Sequence, residues 1–276
     1  MAKYKIKDGV CIIPEGTTEI GEWAFKNCTE LTSIVIPDSV TEIGRSAFNN
    51  CTGLTSIVIP DSVTEIGEWA FNNCTGLTSI VIPDSVTSIG ECAFKGCTRL
   101  TSIVIPDSVT EIGERAFTNC TGLTSIVIPD SVTEIGERAF EECSNLISMK
   151  VTDDNPKYDS RGGCNAIIET ESNKLLFGCQ STIIPDSVTE IGENVLSNCK
   201  GLTSIVIPSS VTEIGDYAFF GCTELTNVEI LSPKIKFGKR VLLDCENLKS
   251  IKVPAKKADY YKKRLPEELH ELIVEM

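Results

Sequence analysis

The sequence predicts an α/β repeat fold that is mostly β: a solenoid with a parallel β-sheet and one short strand in each turn of about 23 residues. Three observations lead to this prediction. A 23-residue unit recurs nearly unchanged, each unit carries one alternating apolar segment that ends at a proline, and no single unit can bury its apolar residues alone. Each turn must therefore stack on its neighbours, which aligns the strands into a parallel sheet.

The repeats define the predicted domain organisation. Complete or looser copies of the unit begin at Leu31, Leu54, Leu77, Leu100, Leu123, Leu202, Leu225 and Leu248. We expect one solenoid over 1–254 and a C-terminal cap over 255–276. Within the solenoid we expect an N-terminal cap with a partial repeat at 1–30, five regular repeats at 31–145, an irregular repeat at 146–178, and further repeats at 179–254.

Each element of the unit follows from its residues. Leu31, Ile34 and Ile36 alternate as in a strand with one buried face, and Pro37 ends that strand because it has no N–H to donate. Val40 and Ile43 then return apolar side chains to the interior. Gly44 permits a tight or left-handed bend. Ala47, Phe48 and Cys51 are expected to fill the far side of the turn.

Residues 146–178 interrupt this regularity, because they are ten residues longer than one turn. Ala166 to Thr170 and Leu175 to Gly178 have the composition of two short strands, which predicts a hairpin projecting from the stack. The hairpin is either a structural spacer or a contact element. Near the C-terminus, Ala258 to Arg264 is expected to be helical, and Glu267 to Met276 is expected to be a helix or a final strand.

The thirteen cysteines have a spacing that argues against a disulfide scaffold. Nine of them recur at the repeat period and so occupy one interior position: Cys28, Cys51, Cys74, Cys97, Cys120, Cys143, Cys199, Cys222 and Cys245. We expect buried free thiols there, because stacked Cα–Cβ bonds run parallel and oppose disulfide torsion. Cys164 and Cys179 bracket the hairpin, and a disulfide between them is the alternative to two free thiols.

The sequence excludes most catalytic chemistry. His270 is the only histidine, and no phosphate-binding glycine motif occurs. We therefore expect no enzyme, no cofactor and no metal site. Two carboxylate rows recur at the repeat period, one of aspartates from Asp38 to Asp130 and one of glutamates from Glu42 to Glu134. They either form turns and keep the protein soluble, or bind divalent cations.

The charge distribution bears on partners. A formal net charge of −14 argues against nucleic acid, whose phosphates demand a cationic surface. Residues 232–264 are the exception, with 11 Lys and Arg against 3 Asp and Glu, and form a solvated basic cap or a patch for anions or membranes. No segment has the length of a signal peptide or spanning helix, so we expect a soluble chain, without membrane insertion, that is intracellular or a mature exported form.

Two surface rows are candidates for binding a protein partner. On the predicted strands, the residue between the two buried isoleucines points outward, which gives an apolar row: Val35, Val58, Val81, Val104 and Val127. Strand propensity alone also explains valine there. We call these residues the valine row.

The second row precedes the Ala-Phe pair, where otherwise similar units differ. Its members are Trp23, Ser46, Trp69, Cys92, Arg115, Arg138, Asn194 and Tyr217. We call this set the variable row. A core position should not accept such different side chains, so we expect it to be exposed. Neutral drift is one explanation, and partner contact is the other, because Trp, Tyr and Arg are common interface anchors. The candidate contacts are Trp23, Trp69, Arg115, Arg138 and Tyr217.

The pattern LxxIxIPxxVxxIGxxAFxxC resembles the BspA-type leucine-rich repeat family of bacterial and protist proteins over most of the chain. The segment from Asn155 to Pro185 is similar to the spacer between repeat blocks of that family. The resemblance implies a non-enzymatic, secreted or cell-surface protein with adhesin-like recognition of host, matrix or microbial surface proteins. The alternative is an intracellular protein–protein interaction scaffold in the cytoplasm. A monomer is favoured.

Overall fold

A computed structural model describes residues 4–276 of the chain, so Met1 to Lys3 of the predicted N-terminal cap lie outside the described residues. The fold is a mostly β solenoid of about 12 turns with parallel sheets, which confirms the predicted fold class. The described residues divide into two compact units, 4–146 with 152–155 and 147–151 with 156–276. Each unit is described by itself.

The first unit consists of short strands joined by turns. Its strands are β1 (Ile6–Lys7), β2 (Val10–Ile12), β3 (Glu19–Ile20), β4 (Ser33–Val35), β5 (Glu42–Ile43), β6 (Ser56–Val58), β7 (Glu65–Ile66), β8 (Ser79–Val81), β9 (Ser88–Ile89), β10 (Glu111–Ile112), β11 (Ser125–Ile128) and β12 (Glu134–Ile135). Strands β3, β5, β7, β9, β10 and β12 form one parallel sheet in that order, and β6 pairs with β8.

The second unit has the same kind of turns and carries the helices. Its elements are β13 (Ser148–Val151), β14 (Tyr158–Asp159), a 3-10 helix at Arg161–Gly163, β15 (Ala166–Glu169), β16 (Lys174–Gly178), β17 (Glu190–Ile191), β18 (Ser204–Ile207), β19 (Glu213–Ile214), β20 (Asn227–Ile230), β21 (Lys236–Phe237), β22 (Ser250–Val253), α1 (Ala258–Lys262), a 3-10 helix at Glu267–Leu272 and β23 (Ile273–Glu275). The C-terminal segment thus contains both a helical turn and a strand.

The expectation of one strand per turn is wrong for four of the five regular turns, which have two strands; the turn that begins at Leu100 has only the second. The first strand carries the valine row, and the second is the Glu-Ile pair that follows, as in β5. Each second strand pairs with its neighbour at an offset of 23 residues, for example Glu111 with Glu134. Two residues are too few for alternation to be recognised in the sequence. The pairing comes from the neighbouring turn, which supplies every hydrogen-bond partner.

Stacked phenylalanines form the centre of the first unit. Phe25, Phe48, Phe71, Phe94 and Phe117 are fully buried. Neighbouring rings are nearly parallel, with centroids 5.2 to 5.5 Å apart from Phe25 to Phe140. Because the phenylalanines recur once in each turn, each ring packs against the faces of the rings in the turns before and after it. A single turn could not cover these rings, which is why the stack is needed for stability.

All thirteen cysteines lie within the described residues and are free thiols, as predicted for the repeated positions, but Cys28 and Cys245 are half-buried and not buried as predicted. The thiol of Cys51 donates to the carbonyl oxygen of Phe25 at 3.0 Å, and that of Cys97 to Phe71 at 3.2 Å. Near the hairpin, the Cys164 thiol donates to the Ala166 carbonyl at 3.7 Å and the Cys179 thiol to the Asn165 carbonyl at 3.2 Å. The disulfide alternative is therefore not what the structure shows.

We predict that native protein will react with iodoacetamide only at Cys28 and Cys245, because the other eleven cysteines are buried. The thiolate is the reactive form, and burial raises the pKa of Cys74 and of Cys143 to about 12. A hydrogen bond with Cys222 lowers the pKa of Cys245, whereas burial raises that of Cys28. Cys245 should therefore react first.

Intact-mass spectrometry at pH 8 checks this result. Native protein should carry up to two adducts, and protein unfolded in urea should carry thirteen. Cys245→Ser is the control, because it should remove the faster adduct and leave the slower one. Three or more adducts on protein that keeps its circular dichroism would contradict the assignment of buried thiols.

Of the two alternatives predicted at Gly44, a tight or a left-handed bend, the left-handed one is wrong. Gly44 does not have a positive φ, whereas Ser46 and Asn50 have φ of 55° and 61°. The N–H of Ser46 donates to the Glu68 carbonyl oxygen at 2.8 Å, and that of Asn50 to Asn72 at 2.7 Å. The left-handed backbone thus directs these donors along the stack. Asparagine tolerates this conformation, and the exchange of Asn for Gly at the second position is a sequence signal that was overlooked.

An antiparallel pair of strands, β15 and β16, lies where the hairpin is predicted. It does not project from the stack. Strand β14 pairs with β15, and β16 pairs in parallel with β17, Lys174 opposite Glu190. Ile167 and Ile168 are fully buried. The hairpin therefore takes the place of a regular turn in the sheet of second strands. Its apolar side chains, like those of a regular turn, are buried by packing against the neighbouring strands.

Candidate partner-binding surfaces

The valine row lies on the solvent side of the first strands, as strand alternation predicts. The exposed fractions are 53% for Val35, 71% for Val58, 65% for Val81, 77% for Val104 and 49% for Val127. Direct pairing places Val58 beside Val81. The isoleucines on either side of each valine orient it, because successive strand residues point to opposite faces. They are buried except for Ile36, which is half-buried although its alternation predicts an interior position.

The row is longer than the sequence analysis recognised. Ile12 pairs with Val35 and is 71% exposed. Its turn is too divergent from the repeat for the pattern to have identified it. In the second unit the same position holds Val206, which pairs with Glu229, and Glu229 pairs with Lys252. Ile183 holds the same repeat position in the second unit and is 70% exposed. The uninterrupted apolar row of β-branched residues therefore belongs to the first unit, and charged residues interrupt the equivalent row of the second unit.

Polar side chains border the valine row in every regular turn. Ser56, Ser79, Ser102 and Ser125 are exposed on one side, and the aspartates Asp38, Asp61, Asp84, Asp107 and Asp130 are exposed on the other. Serines that follow the aspartates tie adjacent turns together, as when the Ser85 hydroxyl donates to the Val63 carbonyl at 2.6 Å. A partner would therefore meet an apolar strip with hydroxyls along one edge and negative charge along the other.

The prediction that the variable row is exposed holds only for its large members. Trp23 is 55% exposed, and Trp69, Arg115, Arg138 and Tyr217 are half-buried, but Ser46 is 6% and Cys92 is 0% exposed. The row lies at the rim of the turn, so a short side chain is covered by its neighbours and a long one reaches solvent.

Every member of the variable row has a left-handed backbone, with φ from 53° to 58°. The N–H of Trp69 donates to the Glu91 carbonyl oxygen at 2.8 Å, and that of Tyr217 to Lys239 at 2.9 Å. Asn or Gly is the usual residue in this conformation. Arg240 has the same conformation one repeat after Tyr217 and is exposed, so it is a further member that sequence reasoning missed.

Basic groups lie over the aromatic members of the variable row. The ammonium of Lys26 is 5.8 Å from the ring centroid of Trp23, and that of Lys95 is 5.8 Å from Trp69. The guanidinium of Arg115 donates to Glu114 at 2.7 Å. The structure does not bring all candidates together: Tyr217 belongs to the second unit, and Trp23 and Trp69 are two turns apart in the first.

Neither carboxylate row forms a recognisable metal site. Within residues 4–276, no cluster of three or more Asp, Glu, Cys or His side chains has the arrangement needed to hold a metal ion. Within the same residues 4–276, no helix is long and apolar enough to cross a bilayer.

Stacked turns with parallel sheets, an interior of Leu, Ile, Phe and Cys, and two repeated surface rows define the leucine-rich-repeat class of solenoid proteins. The family described as the BspA type leucine-rich repeat region matches residues 6–89, 70–161 and 167–264 with six copies. The chain belongs to this family. The family and the fold are typical of non-catalytic proteins that bind other proteins.

Solved bacterial proteins have similar structures. A leucine-rich repeat protein from Eubacterium ventriosum is 28% identical, with a TM-score of 0.75, over 90% of this chain and 68% of that one. A leucine-rich cell surface protein from Faecalibacterium prausnitzii is 34% identical, with a TM-score of 0.69, over 89% and 75%. A leucine-rich repeat protein from Bacteroides ovatus is 26% identical, with a TM-score of 0.58, over 99% and 75%. No curated protein matches the chain.

Proposed function

We propose that this protein is a non-enzymatic, adhesin-like binding protein that uses the valine row to recognise a protein on a host, matrix or microbial surface. The exposed valine row is the observation that carries the proposal. Five neighbouring turns each place a β-branched side chain in solvent, and a contiguous apolar strip with a polar border is a common feature of interaction sites.

The large side chains of the variable row are proposed as further contacts. Trp23, Trp69, Arg115, Arg138 and Tyr217 keep bulky groups at the rim although their backbone conformation favours Asn or Gly. Trp, Tyr and Arg contribute most to binding at many interfaces. Membership of the family, and the description of the Faecalibacterium prausnitzii protein as a cell surface protein, support a surface location for this chain.

An intracellular scaffold is the second candidate. Thirteen free thiols favour it, because thiols persist in reducing compartments. Localisation of the native protein by fractionation distinguishes the two candidates.

We predict that replacing Val58, Val81 and Val104 together by serine will weaken partner binding at least tenfold and leave the fold intact. Each valine that a partner covers contributes on the order of 1 kcal/mol, so three should change the dissociation constant by more than tenfold. Proteins captured from matrix and bacterial surface extracts by the native chain would be identified, and their affinities measured with both forms.

The matched control is the double variant Val206→Ser and Val274→Ser, which removes exposed valines of the second unit. It should bind as the native chain does. A second variant, Trp69→Ala with Arg115→Ala, tests the variable row in the same assay. Equal affinity of the triple serine variant and the native chain would overturn the assignment of the valine row.

A further inference from the structure

The second unit contains an open cavity of about 600 Å³ beside helix α1. Lys234, just before β21, and Lys236, the first residue of β21, line one side. Tyr260 and Arg264 line the other, from α1 and the residues after it, and Ser209 lies at the edge of the preceding turn. The cavity does not involve the valine row and is independent of the function proposed above.

The charge of this cavity is opposite to the formal net charge of the chain, which is −14. Three basic side chains line it and no carboxylate does. Lys236 is paired with Glu213 at 2.6 Å, which is the nearest acidic group on a neighbouring element. Within residues 4–276, the ammonium of Lys234 and the guanidinium of Arg264 have no ion pair with a carboxylate. Two cationic groups are therefore available to a ligand.

The guanidinium of Arg264 is held in place before any ligand arrives. It lies 3.7 Å from the ring centroid of Tyr260, and its Nη1 donates to the Tyr260 carbonyl oxygen at 3.0 Å. The Tyr260 hydroxyl donates in turn to the Ile235 carbonyl oxygen at 3.2 Å. An ordered guanidinium loses less conformational freedom when it binds an oxyanion, which favours affinity.

The cavity also coincides with the place where both carboxylate rows end. The aspartate row runs through the regular turns and includes Asp186. The two turns that follow have serine at the same repeat position, Ser209 and then Ser232. The glutamate row becomes Lys236, which pairs in register with Glu213. Elsewhere these rows would repel an anion. The substitutions therefore remove negative charge at the turns that border the cavity.

We propose that this cavity binds a small organic anion that carries a phosphate or sulfate group, with Lys234 and Arg264 contacting the charged group. Guanidinium and ammonium groups are the usual partners of such oxyanions. The volume matches that of small-molecule sites. The ring of Phe237 lies in the wall and can contact the carbon skeleton, and the hydroxyl of Thr212 can bond polar groups on it.

Isothermal titration calorimetry at low ionic strength tests the proposal with four probes: glucose 6-phosphate, glucose 6-sulfate, glucose and sodium phosphate. We expect at least one ester to bind with a dissociation constant below about 1 mM, and glucose to give no heat. The two esters distinguish a phosphate from a sulfate ligand. Absence of binding by both esters would overturn the proposal. Sodium phosphate that binds as tightly as the esters would overturn the assignment of an organic ligand.

The variant Ser209→Asp restores the residue of the other turns, so the fold should tolerate it. It should weaken ester binding at least tenfold, whereas Ser209→Asn, similar in size and neutral, should not. Lys234→Gln should also weaken binding at least tenfold, and Lys249→Gln, which removes an equal charge outside the cavity, should not. Equal affinities for the aspartate and asparagine variants would place the ligand elsewhere and refute the proposal.

Discussion

Phe71→Ala is expected to lower the free energy of unfolding by about 4 kcal/mol, the largest effect of any single side-chain truncation predicted for this protein. Phe71 is fully buried, with ring centroids of Phe48 and Phe94 at 5.2 and 5.4 Å. Truncation removes apolar contact on both faces and leaves a cavity that the two neighbouring rings cannot fill, because each is held by the next ring in the stack.

Urea denaturation followed by circular dichroism measures this loss. Trp69→Ala, two residues away in the same turn, is the control and should cost less than about 1 kcal/mol because that side chain is half-exposed. Phe71→Leu should lose an intermediate amount. If the alanine variants at 69 and 71 unfold at the same urea concentration, the phenylalanine stack is not the main stabilising element of the first unit.

Gly113→Ala is expected to cost about 3 kcal/mol, for a different reason. A Cβ on Gly113 would lie 2.6 Å from the Glu91 nitrogen and 2.6 Å from the Gly90 carbonyl carbon. Both are backbone atoms of the preceding turn, so no side-chain rotation can relieve the contact. The two turns must separate, which weakens the hydrogen bond from the Gly113 N–H to the Ile89 carbonyl oxygen, now 2.8 Å.

Gly21→Ala provides a matched control, because Gly21 occupies the same repeat position in the first copy. Among residues 4–276, and apart from its two chain neighbours, the one atom within 4 Å of its added Cβ is the Glu19 Oε1, at 3.6 Å, at the end of a flexible side chain. The change at Gly21 should alter stability by less than about 1 kcal/mol. Thermal denaturation of both variants checks the pair, and equal losses would show that the close approach of turns is not the cause.

Much of the fold could be predicted from repetition and alternation. Leu31, Ile34 and Val35 have the burial that their alternation predicts, whereas Ile36 is half-buried, and the cysteines that recur at the repeat period are free thiols. The sequence did not predict the second strand of each turn, because a two-residue Glu-Ile segment is too short to show the alternation of apolar and polar residues. The burial of Ser46 and Cys92 was missed because the neighbours that cover them come from adjacent turns.

The sequence by itself determined the class of fold, the family, the period of the stack and the outward direction of the valine row, because these depend on side-chain order within one unit. Only the tertiary structure decided that the variable row has left-handed backbone, why Gly113 cannot carry a Cβ, and that Lys234 and Arg264 line one cavity. Those properties arise from contacts between turns 23 or more residues apart, where local residue patterns carry no information about distance.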